Sequence, residues 1–122
     1  MDVFVVDASP RGPERLAELL ASIPQVRLVG QADSARAAIA AILAKKPDVV
    51  LLSLRLAEGT GFQVLGEVRR REPGIDFYVL SNFSAEPFRR RAEQLGALRL
   101  FSRNAGLQPV RDLIAARAGT VH

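Results

Sequence analysis

The chain has 122 residues and a net charge of +4, and 48% of its residues are hydrophobic, which suits one domain with a core of its own. It contains no cysteine, so disulfide bonds and thiol chemistry are excluded. No apolar run approaches the roughly 18–20 residues that span a membrane, and no basic region of a secretory signal precedes the first apolar run. We therefore expect a cytoplasmic protein with a single domain over residues 1–122, ordered from about residue 2 to about residue 117.

Short apolar runs alternate with helical patterns from the start of the chain. The β-branched run from Val3 to Val6 predicts a buried strand, and a loop from Asp7 to Pro13 follows it. Leucine spacing between Leu16 and Ile23 predicts the first helix. A second strand is predicted from Val26 to Val29, where Gly30 closes it.

The middle of the chain continues the alternation. A second helix is predicted after a cap at Asp33 or Ser34, and Pro47 blocks its continuation. The near-continuous apolar run from Val49 to Leu54 is typical of a central parallel strand that is covered on both faces. The only polar side chain inside that run is Ser53.

The third helix is predicted to begin after a cap at Thr60 and to end near Pro73. Ile75 to Leu80 predicts the fourth strand. A fourth helix is predicted from a cap at Ser84 to a stop at Gly96.

Leu98 to Phe101 predicts the fifth strand, and apolar spacing from Leu107 to Ile114 predicts the last helix. The tail from Ala118 to His122 is expected to fray. Five strands that alternate with five helices predict an α/β fold, a doubly wound five-stranded parallel sheet of (βα)5, flavodoxin-like topology.

Polar residues stand near the ends of four of the five predicted strands. They are Asp7, Ser53, Ser81 and Arg103. Because the carboxyl ends of parallel strands meet at one edge of the sheet, where ligands bind in such folds, these side chains are expected to lie together.

These segments resemble those of the response-regulator receiver domain, the CheY-like superfamily. Val5 to Pro10 is similar to the first strand and acidic turn of a receiver, and Asp48 to Phe62 to its third strand and following loop. Val79 to Asn82 is similar to the fourth-strand hydroxyl motif, and Gly96-Ala97 to the approach to the family's lysine. The resemblance implies the receiver fold. It also implies a pocket in which an aspartate accepts a phosphoryl group beside Mg²⁺, a hydroxyl and a lysine.

The sequence departs from that pattern at three of five positions. Asp7 matches the first acidic residue, whereas Ala8 stands where a second acid would hold the metal. Ser53 stands at the phospho-acceptor position, Ser81 matches the hydroxyl, and Arg103 replaces the lysine. The resemblance therefore implies a degenerate phospho-acceptor pocket with no catalytic residue and with weak or absent Mg²⁺ binding.

Simpler structural roles remain open for the same residues. Asp7 would also serve to cap the turn after the first strand, and Ser53 to bond neighbouring backbone as a buried hydroxyl. If Arg103 lies within reach, it would neutralise Asp7 and leave an internal ion pair.

Two arginine runs stand out. Arg69-Arg70-Arg71 is interpreted as a solvated helix face. The second run lies on the fourth helix, which belongs to the surface through which receivers contact partners. It has either the same solvated role or a role in a partner-binding face formed by Phe88, Arg89, Arg90, Arg91 and Leu100.

Our main hypothesis is an atypical receiver domain of two-component phosphorelay signalling that regulates by protein–protein interaction, independently of phosphorylation and without enzymatic activity. Its partner would be a histidine kinase, an adaptor or an effector, and a homodimer is possible, with no membrane partner. One alternative is a conventional phosphorylatable regulator whose acceptor is substituted at Ser53. A weaker alternative is a nucleic-acid-binding module that uses the arginine runs.

Overall fold

A computed structural model describes residues 1–82 and 86–120 of the chain. The strands are β1 (Asp2–Val6), β2 (Arg27–Ala32), β3 (Val49–Ser53), β4 (Asp76–Ser81) and β5 (Arg99–Ser102). The helices are α1 (Gly12–Ala21), α2 (Ala35–Lys45), α3 (Gly61–Arg71), α4 (Glu86–Gln94) and α5 (Gln108–Thr120), with a 3₁₀ turn, η1 (Arg103–Ala105), after β5.

The five strands form one parallel sheet in the order β2-β1-β3-β4-β5. The chain therefore winds outward in both directions from β1 and β3, and the predicted doubly wound α/β fold is confirmed. β3 is central and every one of its residues is buried, as its continuous apolar sequence predicts.

The sheet separates two apolar clusters. Because successive side chains of a strand point to opposite faces, Leu52 packs in one cluster with Phe4 and Phe77, while Leu51 packs in the other. Ile114 belongs to the second cluster. Both faces of the sheet are thus covered, and the polar strand ends are left at its edge.

Two predicted boundaries near the start of the chain are wrong. β2 continues through Gly30 to Ala32, because Gly30 pairs with Phe4 and a Cβ there would lie 2.7 Å from the Phe4 ring. The glycine permits a close approach and does not end the strand. α1 begins at Gly12, inside the predicted loop. Pro13 falls in the first helical turn, where backbone N–H groups have no partner within the helix, so a proline there costs no hydrogen bond.

Two helix caps lie where the sequence predicts them. Ser34 caps α2 by accepting a hydrogen bond from the backbone N–H of Ala37, and Thr60 forms a reciprocal capping box with Gln63 at the start of α3. The predicted cap at Ser84 lies outside the described residues.

The predicted fraying from Ala118 is wrong for residues 118–120. α5 extends to Thr120, and Ala118 is buried in the second apolar cluster because the helix lies against the sheet. Residues 121–122 lie outside the described part of the chain. Within the described ranges, no helix has the length and apolar character that crossing a membrane requires.

Candidate functional site

The carboxyl edge of the sheet gathers the predicted polar residues. Asp7 follows β1, Ser53 ends β3, Ser81 ends β4, and Arg103 opens η1 directly after β5. Asp7, Ser53 and Ser81 are only 1%, 5% and 4% exposed. Together with Ala8 and Arg103 they line a cavity of about 350 Å³. The sheet edge thus brings all five predicted pocket residues to one place.

Three of these side chains form one hydrogen-bonded group, called here the Asp7–Ser53–Arg103 cluster. Ser53 Oγ donates to Asp7 Oδ1 at 2.9 Å, and Arg103 Nη2 donates to Asp7 Oδ2 at 2.8 Å. The same Nη2 also donates to Ser53 Oγ. The ion pair expected between Arg103 and Asp7 is confirmed. The hydroxyl of Ser53 is satisfied as expected, but the partners described for it are side chains and not the neighbouring backbone.

Asp7 has a second role in the turn after β1. The backbone N–H and the Oγ of Ser9 both donate to Asp7 Oδ1, at 3.0 Å each, so the carboxylate closes an Asx turn. Gly12 lies so close that a Cβ would collide with Asp7 and Ser9. The turn-capping and pocket roles of Asp7 are therefore compatible. Sequence reasoning missed Ser9, although an Asp followed by Ser two residues later is a signal for such a turn.

These contacts fix the ionisation of Asp7. Burial raises the pKa of the Asp7 carboxyl, but the backbone hydrogen bond from Ser9, the hydrogen bond and charge of Arg103, and the Ser53 hydroxyl outweigh it. The pKa is lowered from its ordinary value of 3.8. Asp7 is therefore a carboxylate at neutral pH, and its charge is compensated inside the protein.

Among the described residues that line the pocket, Asp7 alone could offer Mg²⁺ a carboxylate. No three His, Asp or Glu side chains in the described ranges are grouped so as to hold a metal ion. The Asp7 carboxylate has hydrogen-bond donors on both oxygens, and the neighbouring Ala8 offers no side-chain ligand. Mg²⁺ prefers carboxylate and water oxygens that are free to coordinate it.

The predicted partner-binding face is only partly at the surface. Phe88 is 38% exposed, and the three arginines that follow it on α4 are also exposed. Leu100 is 5% exposed and packs in the core cluster with Ala92, so its assignment to this face is wrong. Leu98, which sequence reasoning missed, is 54% exposed just before β5 and lies beside α4. We call Phe88, Arg89, Arg90, Arg91 and Leu98 the α4 face.

Comparison with characterised proteins identifies the family. The chain is 29% identical over 119 residues to the response regulator GacA of Pseudomonas aeruginosa, which is 94% of this chain and 56% of GacA. It is 31% identical over 84 residues to the transcriptional activator DevR/DosR of Mycobacterium tuberculosis, which is 69% of this chain and 39% of that protein. The chain spans about half the length of the curated relatives it matches.

Solved structures that superpose on this chain point to the same family as the sequence relatives. The signal receiver domain of the response regulator NarL from Mycobacterium tuberculosis superposes with a TM-score of 0.87 at 28% identity, over 98% of this chain and 96% of that one. The receiver domain of Thermotoga maritima CheB has a TM-score of 0.86 at 21% identity, which supports the fold alone. The family profile of the response regulator receiver domain matches residues 3–115. This chain therefore belongs to the response regulator receiver domain family of two-component systems.

Proposed function

We propose that this receiver domain regulates a signalling partner by protein–protein contact, without phosphorylation in its pocket. The observation that supports the proposal most is the Asp7–Ser53–Arg103 cluster. The residue at the acceptor position is a serine, and its hydroxyl is buried and engaged by both an acid and a cation.

Ser53 is poorly placed to act as a phosphoryl acceptor. A serine hydroxyl attacks only when a nearby base removes its proton. The base in contact is Asp7, but its pKa is lowered and its charge is stabilised by Arg103 and Ser9. If Asp7 accepted the proton of Ser53, it would lose its charge and weaken its interactions with Arg103 and Ser9. A Ser53 alkoxide is therefore not readily formed.

Intact mass measurement tests the proposal directly. The chain is incubated with acetyl phosphate and Mg²⁺, and no added phosphate is expected. The matched control is the variant Ala8→Asp/Ser53→Asp/Arg103→Lys, which restores the acidic pair, the acceptor and the lysine. A phosphate adduct on the unaltered chain would overturn the proposal.

A single substitution distinguishes the alternative of a conventional regulator with one altered residue. Ser53→Asp alone is expected to remain largely unphosphorylated, because Ala8 still leaves the metal without a second acid and Arg103 still neutralises Asp7. Efficient phosphorylation of Ser53→Asp would favour that alternative.

Weak or absent binding of Mg²⁺ is part of the same proposal. Titration with Mg²⁺, followed by backbone amide resonances around Asp7, is expected to cause no saturable change at millimolar concentrations. Saturable shifts confined to the pocket would contradict it.

The α4 face is our proposed partner surface. It combines three exposed arginines with two exposed apolar side chains, Phe88 and Leu98. This chemistry suits a partner with an apolar centre and an acidic rim. Against a purified candidate kinase or adaptor, Arg90→Glu is expected to slow association, whereas Arg70→Glu on α3 is the matched control.

A further inference from the structure

A groove between α2 and α3 is separate from both sites described above. Its apolar lining comes from α2, namely from Ala35, Ile39, Ala40 and Leu43, and it encloses about 610 Å³. Ile39 and Leu43 are partly buried against the core, and Ala40 is exposed. None of the described lining residues belongs to the α4 face or to the pocket at the carboxyl edge of the sheet.

α2 is apolar on its outer side as well as on the side that packs on the sheet. Between Arg36 and Lys45 its sequence contains alanine, isoleucine and leucine alone. Ala38 and Ile42 are buried in the core, whereas Ala40 is exposed. The outer face of a surface helix normally carries charged and polar residues, and a helix that is apolar all round is normally covered. The sequence of α2 therefore suits a helix that packs against a further surface.

The charged residues of the groove balance one another. Arg36 and Arg71 supply two positive charges and Glu58 and Glu67 two negative ones, so the lining is neutral although the chain carries +4. Arg71 binds Glu67 at 2.9 Å, but its side chain is 56% exposed and a guanidinium has five N–H donors. Arg71 can therefore bind a second carboxylate. A neutral lining also allows a second copy of this basic chain to approach without repulsion at the groove.

Glu58 and Arg71 stand at opposite ends of the groove. Glu58 lies where α2 begins, because its carbonyl oxygen accepts a hydrogen bond from the N–H of Ala35 at 2.8 Å. Arg71 lies where α2 ends, because the next residue, Glu72, pairs with Lys46 at 3.5 Å. If two copies meet groove to groove with their α2 helices antiparallel, Glu58 of each copy comes to Arg71 of the other.

We propose that this groove pairs two copies of the chain in a symmetric, antiparallel dimer. The apolar residues of the two α2 helices form its centre, with Ala40 near the two-fold axis, and an ion pair between Glu58 and Arg71 closes each end. A two-fold interface uses one patch twice, so the patch must be complementary to itself, as this one is. The patch is small, and we therefore expect a dimer that dissociates on dilution. The α4 face shares no residue with the groove, so the pairing does not use it.

Sedimentation equilibrium at increasing protein concentration, up to the millimolar range, tests the pairing. The average mass is expected to rise from the 13.2 kDa of one chain toward twice that value. Ala40→Glu puts two like charges at the centre of the dimer, so this variant is expected to stay monomeric throughout. The control Ala116→Glu makes the same change at an exposed alanine of α5 and is expected to dimerise as the unaltered chain does.

A charge exchange tests the contact at the two ends. Glu58→Arg and Arg71→Glu each place like charges opposite one another, so each variant alone is expected to remain monomeric where the unaltered chain dimerises. A mixture of the two variants has opposite charges at both ends, and is expected to form a one-to-one heterodimer. No contact within a single chain can produce recovery on mixing. Circular dichroism checks that each variant is folded.

Each outcome decides the inference. Concentration-dependent dimerisation that Ala40→Glu abolishes and that mixing of the two charge variants restores would support it. A mass of 13.2 kDa at every concentration would overturn it, as would a dimer that Ala40→Glu leaves intact. Loss of the dimer in Ala116→Glu would place the contact on α5 instead. If Ala40→Glu fails to fold, the charge variants still decide, because a mixture that remains monomeric contradicts the pairing.

Discussion

Arg103 stabilises a charge that the protein could not otherwise bury. Asp7 is 1% exposed, and among the described residues Arg103 is the cation paired with it. An isolated carboxylate in such a place is costly, whereas a paired and hydrogen-bonded one is tolerated. One nitrogen of Arg103, Nη2, contacts both Asp7 and Ser53.

Removal of that cation is expected to destabilise the fold. Arg103→Met leaves the buried Asp7 with the hydroxyl and N–H donors of Ser9 and Ser53 and without this counter-charge, which we expect to lower the free energy of unfolding by about 2–3 kcal/mol. Arg103→Lys, which keeps the charge, is expected to lose less. Urea denaturation at pH 7 measures both, and a loss below about 0.5 kcal/mol for Arg103→Met, the size of an ordinary surface substitution, would contradict the role of the pair.

The lowered pKa of Asp7 predicts a dependence of stability on pH. A carboxyl whose pKa is depressed by folding stabilises the fold above its unfolded value, near 3.8, and this contribution is lost as the pH falls through the lower folded value. The unaltered chain is therefore expected to exceed Asp7→Asn in stability at pH 7, and the difference is expected to shrink below about pH 4. Urea denaturation at several pH values checks this; a difference that stays constant or grows in acid would refute it.

The sequence predicted which residues meet in the pocket, because the topology of a parallel sheet determines where its strand ends lie. It did not predict which side chain would donate a hydrogen bond to each oxygen atom of the pocket. Ser53 bonds to side chains that are 46 and 50 residues away in the chain, and no local pattern records such contacts. Leu100 was misplaced for a related reason: its burial depends on how α4 covers β5.

At the scale of elements, the junction between β3 and α3 brings the first residue of the helix against the backbone of Ser53. The N–H of Gly61 donates to the carbonyl of Leu54 at 2.9 Å, so the helix begins directly against the end of the strand. A Cβ at Gly61 would collide with the Ser53 carbonyl and lie 2.9 Å from the Leu54 Cα. Only glycine permits this approach.

Two glycines of α3 give a matched test of that junction. Gly61→Ala is expected to destabilise the fold by about 1–3 kcal/mol, because backbone atoms must shift. Gly66→Ala, in the middle of the same helix, meets only Leu95 at 3.8 Å and is expected to stabilise by about 0.5–1 kcal/mol. Thermal or urea unfolding reads both, and equal effects of the two substitutions would show that the approach of α3 to β3 does not matter.

Element types were predictable from periodicity, whereas several boundaries were not. Glycine often marks the end of a strand, but Gly30 pairs with Phe4 and is part of β2. Ala118 follows the last clear apolar stripe, yet α5 continues because that alanine packs against the sheet. In each case a contact with a distant element overrides the local signal.

At the scale of the whole molecule, one sheet is shared by two apolar clusters. Leu51 and Leu52 are adjacent on β3, fully buried, and belong to opposite clusters. Neither cluster has a sheet of its own, so the two faces are expected to unfold together.

Leu51→Ala and Leu52→Ala test this cooperativity. Each is expected to cost about 2–5 kcal/mol and to lower the midpoint of a single transition, because each creates a cavity in a cluster that packs against the shared sheet. Leu98→Ala, at a 54% exposed position, is the control and is expected to change stability by less than about 0.5 kcal/mol. Far-UV and near-UV circular dichroism should coincide throughout; separate transitions in either core variant would show that the two faces are independent.

The order in which the chain is synthesised gives the Asp7–Ser53–Arg103 cluster one more consequence. Arg103 is 96 residues from Asp7 and 50 from Ser53, so the acid and the hydroxyl leave the ribosome well before their cation. Until residue 103 emerges, a nascent chain that packed β1 against β3 would bury Asp7 without its counter-charge. The arrival of β5 and η1 therefore completes the sheet and neutralises its buried acid in the same step, which favours late folding of the nascent chain over early burial of an incomplete sheet.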